Sequence, residues 1–265
     1  MALSIGALLP HSPLLIPEIG RANYNFLART AAAYEGLGQK LKAAGVSTVI
    51  VISPHGAAPK DAFGLNVAPE MNLSFQDFGF IPPKIALAGD ALLAEKIKNA
   101  ARPDFPLNLI SEANLDYGSA LPLYLLKKIA GEFKAISLFP AGVLSLEDHW
   151  RFGQKLGEVI GTSGKNLAVI ASGDLSHRLK RKSPGGYSPK GAKFDNKLIE
   201  YLSEPTSAKD NILKMNPKLI AAAGECGLKP LVVLLGIMAE KNWQTEILAY
   251  QTDFGIGYLS VDFIL

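Results

Sequence analysis

The sequence predicts one three-layer α/β/α domain over residues 1–265, built on a central mixed, partly parallel β-sheet. Short β-permissive apolar runs alternate with longer stretches of helical periodicity. Two such runs, Leu3 to Leu9 and Thr48 to Ile52, flank an amphipathic segment and so read as a βαβ unit, a connection that is right-handed almost without exception. No repeat, low-complexity tract or shift of composition marks a linker between domains.

In chain order, Leu3 to Leu9 is a strand stopped by Pro10 and Pro13, with a proline-punctuated loop to Gly20. Asn23 to Ala44 is a helix whose apolar face runs through Phe26, Ala33, Leu37 and Leu41, and Gly45 ends it. Thr48 to Ile52 is a buried strand. Residues Ala57 to Pro83, rich in Pro, Gly, Asn and aromatics, form an elaborated loop or edge hairpin with short strands at Gly64 to Val67 and Leu73 to Phe75. A helix over Ala88 to Ala101, a strand at Leu107 to Ile110, a helix over Ser119 to Ala130 and a strand at Phe133 to Phe139 follow. Ser145, with Asp148 three residues on, opens a helix in the manner of a capping box and carries it to about Ile160. Leu167 to Ala171 is long and apolar enough for a central strand covered on both faces. Arg178 to Gly191 is a loop; helices at Lys193 to Leu202, Pro217 to Ala223 and Leu228 to Glu240, then strands at Glu246 to Gln251 and Gly257 to Phe263, close the chain.

Composition excludes several function classes. A net charge of +3 is too mild to argue for nucleic acid, and the one dense basic run, Arg178 to Lys182, reads as a solvated loop before it reads as an anion site. No apolar run approaches the roughly 20 residues that span a bilayer. The apolar start lacks a basic flank and reads as a strand, not a signal peptide. The single cysteine, Cys226, cannot form an internal disulfide, which suits a reducing cytoplasm.

The chemistry is concentrated in four histidines. Three of them, His11, His55 and His177, stand just beyond a strand, in Pro10-His11-Ser12-Pro13, Ser53-Pro54-His55-Gly56 and Gly173-Asp174-Leu175-Ser176-His177. If those strands end on the same side of one sheet, the imidazoles meet in one cleft, as a metal or proton-transfer site requires. Asp174 fixes the His177 tautomer or caps a following turn. His149, inside a helix, is a structural or surface residue. Glu225 and Cys226, in Ala221 to Pro230, read singly as a helix-terminal charge and a small buried hydrophobe. Beside two strand-end histidines, Glu225 completes a facial set of two His and one carboxylate, which leaves Fe(II) open positions for substrate and O₂.

The ordered motifs PHSPLLIPEIG, VISPHG, DYGSALPLYLL, ASGDLSH, GECG and FGIGYLSV span nearly the whole chain. Together they resemble the class III extradiol ring-cleavage dioxygenases of the LigB type, the β-subunit type of protocatechuate 4,5-dioxygenase. Among these, they are most similar to the Memo-like branch, in proteins called AmmeMemoRadiSam system protein B or the dioxygenase-like domain of system protein A. The resemblance implies that His11, His55 and Glu225 hold a non-haem Fe(II), with Zn or Cu as alternatives. It implies that His177 is the acid/base toward a catechol-like or aminophenol-like substrate and O₂, with Asp174 in the same turn. In Memo proteins a cysteine stands in place of the glutamate, where Cys226 falls. Tyr117 occupies the place of a family histidine near the substrate, where its hydroxyl can bond a substrate oxygen but does not exchange protons readily at neutral pH. A homo-oligomer is expected, and on the Memo-like alternative a companion small domain or radical-SAM protein acts in trans, without ring cleavage. A Zn²⁺ hydrolase is a third reading of the same ligands.

Overall fold

The computed structural model describes residues 3–81 and 85–265. In chain order the strands are β1 (Leu3–Leu9), β2 (Thr48–Ile52), β3 (Phe63–Asn66), β4 (Glu70–Asn72), β5 (Ala86–Ala88), β6 (Leu107–Ile110), β7 (Lys134–Phe139), β8 (Leu167–Ser172), β9 (Gln244–Gln251) and β10 (Tyr258–Ile264). The α-helices are α1 (Pro17–Gly20), α2 (Ala28–Ala43), α3 (Ala91–Ala101), α4 (Tyr117–Ala130), α5 (Leu146–Gly161), α6 (Pro189–Leu202), α7 (Pro205–Leu213), α8 (Pro217–Ala223) and α9 (Leu228–Ile237). Eight strands form a mixed, mostly parallel sheet in the order β6-β3-β7-β2-β8-β1-β10-β9, and β4 and β5 form a separate antiparallel pair.

Period-two alternation makes two cores. Val49 and Val51 of β2 face one helical layer and Ile50 and Ile52 the other, while β8 divides as Ala168 and Ile170 against Leu167, Val169 and Ala171. The first layer contains Tyr34 and Leu37 of α2 and Leu121 and Leu123 of α4. The second contains α3, α5, α6 and α9, with the α9 residues Leu228–Ile237 buried except for Lys229. β1 breaks the alternation where its register against β8 shifts between Leu3 and Ile5. Each buried Val or Ile contributes about 1.5–3 kcal/mol relative to exposure, which makes the TVIVI and LAVIAS runs the thermodynamic centre of the domain.

Most expected elements lie where the sequence placed them, and the differences have physical causes. Phe26 is not on the face of α2: residues Arg21–Leu27 form a 3₁₀ segment, Leu27 is buried in its place, and Phe26 is 56% exposed with its edge toward Phe254. The second short strand of the 57–83 region falls at Glu70–Asn72, not Leu73 to Phe75, since residues 70 to 72 pair with residues 86 to 88; positions 82 and 83 lie outside the described residues. Helix α6 begins at Pro189, whose fixed φ suits a first helical position, with Ser188 capping Lys190 N–H. Helix α7 was not expected at all. The capping box at Ser145 and Asp148 is present in full. Among the described residues no helix is long and apolar enough to cross a membrane.

Candidate metal centre

Three adjacent parallel strands, β2, β8 and β1, end level with one another: Leu9 pairs with Ser172, and Ile52 with Ala171. The residues that follow them therefore meet at one edge of the sheet. His11 Nε2 lies 3.2 Å from His55 Nε2, and the Cys226 sulfur 3.5 Å from His11 Nε2. The three ligand atoms lie within 4.8 Å of one another.

Backbone geometry brings Cys226 there. A Cβ on Gly173 would sit 2.2 Å from Gly227 Cα, so only glycine lets the 226–227 turn lie against the end of β8. In that position Cys226 and Gly227 donate their N–H groups to the Asp174 carbonyl at 3.2 and 3.0 Å. The neighbouring Glu225 points elsewhere: its Oε2 accepts the Leu228 N–H at 2.7 Å at the start of α9, and desolvation pushes its pKa up to about 7. The structure thus gathers His11, His55 and Cys226, and gives Glu225 a capping bond outside that group.

The hydrogen bonds fix which atoms can ligate. Ser172 Oγ donates to the Gly118 carbonyl at 2.5 Å, so His11 Nδ1, 2.9 Å from the same oxygen, is the donor, and the His11 lone pair lies on Nε2. Gly118 has no room for a side chain, because its Cβ would meet Ser53 Oγ at 2.6 Å. Desolvation lowers the pKa of His11, and desolvation together with the neighbouring His11 lowers His55 to about 4. Both rings are therefore neutral at pH 7, the state that binds a cation. Desolvation and Asp174 raise the Cys226 thiol, which a bound metal would deprotonate. Nitrogen and sulfur donors held at about 2.0–2.1 and 2.3 Å from one ion lie about 3.2–3.6 Å apart at near-tetrahedral angles, and the two separations that involve His11, 3.2 Å to His55 and 3.5 Å to Cys226, match that spacing.

His177 stands beside this group. Its Nδ1 donates to the Gly224 carbonyl at 2.7 Å, and its Nε2 lies 3.7 Å from Asp174 Oδ2. Desolvation opposes the charged ring, but Asp174 and the Gly224 carbonyl outweigh it and raise the His177 pKa. Asp174 is buried, accepts the His11 backbone N–H at 3.2 Å and lies 3.9 Å from His11 Nε2, so it stands between His177 and the His11–His55–Cys226 group. Tyr117, the first residue of α4, stacks on His55 and places its hydroxyl 2.9 Å from His55 Nε2. His149 is far less exposed than a surface residue: it is fully buried, edge-on to Phe63, with Nδ1 donating to the Ser145 carbonyl.

Two supporting residues, Ser172 and Asp195, lie outside the expected site residues. Ser172 is the last residue of β8, one beyond the expected strand. Asp195 of α6 is buried, accepts the Ser176 N–H at 2.9 Å and the Tyr250 hydroxyl at 2.8 Å, and so holds the turn that ends in His177. Nothing in the local sequence around Asp195 distinguishes it from an exposed helical carboxylate.

Comparison with known proteins agrees with this architecture. A Clostridium acetobutylicum protein, "Protein CA_C1420", is 31% identical over 268 residues, which cover 97% of this chain and 57% of the relative. The chain thus spans a little over half of that relative's length. The 3,4-dihydroxyphenylacetate 2,3-dioxygenase of Escherichia coli is 22% identical over 211 residues, 75% of each chain. Among solved structures, the uncharacterized protein JW3007 from Escherichia coli K12 has the same fold, with a TM-score of 0.70 at 19% identity over 98% of this chain and 99% of the other. The family model of the catalytic LigB subunit of aromatic ring-opening dioxygenase matches residues 5–260, and the chain belongs to that family.

Proposed function

We propose that this protein is a metal-dependent dioxygenase that opens the ring of a catechol-like or aminophenol-like aromatic with O₂. The observation that carries the reading is the placement of the His177–Asp174 pair against the His11–His55 group at the carboxyl ends of β1, β2 and β8. Family membership supports it, as does the similarity to an enzyme named for action on a dihydroxylated aromatic.

His11, His55 and Cys226 would hold the ion. Glu225, the carboxylate expected from the resemblance, would have to release the Leu228 N–H to join them. When bound, Fe(II) supplies a Lewis acid that lowers the pKa of a substrate hydroxyl and brings it together with O₂. The remaining chemistry belongs to the chain. His177 Nε2 takes the proton of the substrate's second hydroxyl and later returns it, while the Nδ1 bond to Gly224 keeps the ring from turning. Asp174 stays ionised and stabilises the imidazolium. The Tyr117 hydroxyl bonds a substrate oxygen.

A second reading, a Memo-like metal-binding protein that works with a companion domain and cleaves no ring, is favoured by the third donor in reach being a thiol, not a carboxylate. Oxygen uptake by anaerobically purified, Fe(II)-reconstituted protein with a panel of catechols and aminophenols separates the two. On the dioxygenase reading, uptake accompanies a ring-opened product, and His177→Phe keeps its iron while activity falls by about 10²-fold or more. Iron bound without uptake on any substrate leaves the second reading; no bound metal removes both.

A further inference from the structure

Tyr117 is placed more tightly against the ligand atoms than substrate contact alone requires. Its helix is anchored to the strand end that delivers His55: Asp116, the cap of α4, accepts from Ser119 N–H at 3.0 Å and from Ser53 Oγ at 2.5 Å. The Tyr117 ring stacks on His55 at 4.6 Å with an interplanar angle of 22° and meets His11 edge-on at 5.3 Å. Its hydroxyl is 2.9 Å from His55 Nε2. Among the described residues, Tyr117 Oη has no other hydrogen-bond partner. A metal that takes the His55 Nε2 lone pair therefore leaves the phenol facing the ion itself. Two oxygen or nitrogen donors held at about 2.0–2.2 Å from one ion lie about 2.9 Å apart when they are roughly 90° apart, which is the separation seen.

We propose that Tyr117 Oη is a fourth protein donor of the centre, joining His11, His55 and Cys226 in a set of two nitrogens, one sulfur and one oxygen. This rests on the metal reading given under Proposed function and extends it. The phenol proton leaves to solvent as the oxygen binds. With four protein donors the ion would have one fewer position for exogenous ligands than with three, and the tyrosine oxygen is the donor that a substrate oxygen would displace. There is room for this: a cavity of about 550 Å³, lined among others by His55, Phe75, Phe78, Asn114 and Tyr117, adjoins the ring.

Ferric iron is the probe. Added to the purified protein, it should give a visible charge-transfer band whose resonance Raman spectrum contains tyrosine ring modes that shift when ring-deuterated tyrosine is incorporated. Cys226→Ser should keep those modes while losing the thiolate contribution. Tyr117→Phe should lose them and bind iron about 10–100-fold more weakly, with its thermal unfolding transition unchanged. Iron bound to the wild type without tyrosine modes, or modes unaltered in Tyr117→Phe, overturns the assignment while leaving the metal centre standing. A wild-type protein that binds no iron overturns the centre and Tyr117's place in it together.

Discussion

The two walls of the site are built differently. The wall formed by the ends of β1 and β8 is buried and tied at nearly every polar atom: His11 to Ser172 and Asp174, Ser172 to Gly118, His177 to Gly224, and Ser176 to Asp195. The opposite wall, made by the loop after β2 and the start of α4, is open: His55 is exposed, Tyr117 is half-buried and Phe78 is 37% exposed. A preorganised wall can hold a proton carrier in one orientation, whereas an open wall can admit a ligand. The division of labour proposed for His177 and Tyr117 follows from that difference.

The sharpest way to break the comparison is to remove the buried carboxylate. Asp174→Ala leaves His177 without its charge partner and the His11 N–H without an acceptor, so urea denaturation should show a loss of about 3–5 kcal/mol. A loss below 1 kcal/mol would mean that this wall is no more constrained than the other.

His149 provides the control for what burial alone does to a histidine. It lies in the core, away from the donor group, and desolvation lowers its pKa to about 4. The unfolded chain, with a histidine pKa near 6.5, binds the proton first as pH falls, so stability declines from pH 6.5 down to about 4. The His149 contribution to that decline is about 3 kcal/mol, and the slope should be shallower by that amount in His149→Gln. Parallel slopes for the two proteins would show that His149 is not held neutral by the fold.

A smaller effect is expected at Ser172. Ser172→Ala orphans the buried Nδ1–H of His11, at a cost of about 1–3 kcal/mol, and frees the ring's tautomer, so metal affinity measured by competition with a chelator should fall about 10–100-fold. The smallest change belongs to the open wall. Phe78→Ala should alter stability by no more than about 0.5 kcal/mol yet weaken aryl ligands, since its ring meets Tyr117 at the cavity. A large destabilisation there would erase the contrast between the walls.

How much of this was legible in the sequence varied with the range of the interaction. The strands β2 and β6 and the helix α8 lie at the expected residues because apolar runs, caps and prolines are local signals. Helix α7 escaped because only Ala208 and Ile212 of its nine residues are buried, too thin a stripe to show a period. At the site, three of four histidines were singled out by their position after a strand, and the structure brings all three to one edge. The third donor was harder. Glu225 and Cys226 are adjacent, and a sequence does not say which one turns toward the histidines. The close approach of Gly173 to Gly227 and the Asp174 N–H bond to the Cys226 sulfur decide it, and these contacts span more than 50 positions of the chain, while the short-range bond to Leu228 N–H holds Glu225 away.

Side-chain periodicity and backbone restriction within a few residues are enough to set the alternation of elements, the two-faced burial of TVIVI and LAVIAS, and the placing of histidine just past a strand. The folded chain adds that β2, β8 and β1 lie side by side with their ends level, that Cys226 faces the histidines, and that Tyr117 stacks on His55. Those outcomes depend on which distant segments pair and on the ångström-scale clearance between glycines, quantities that no local run of residues encodes.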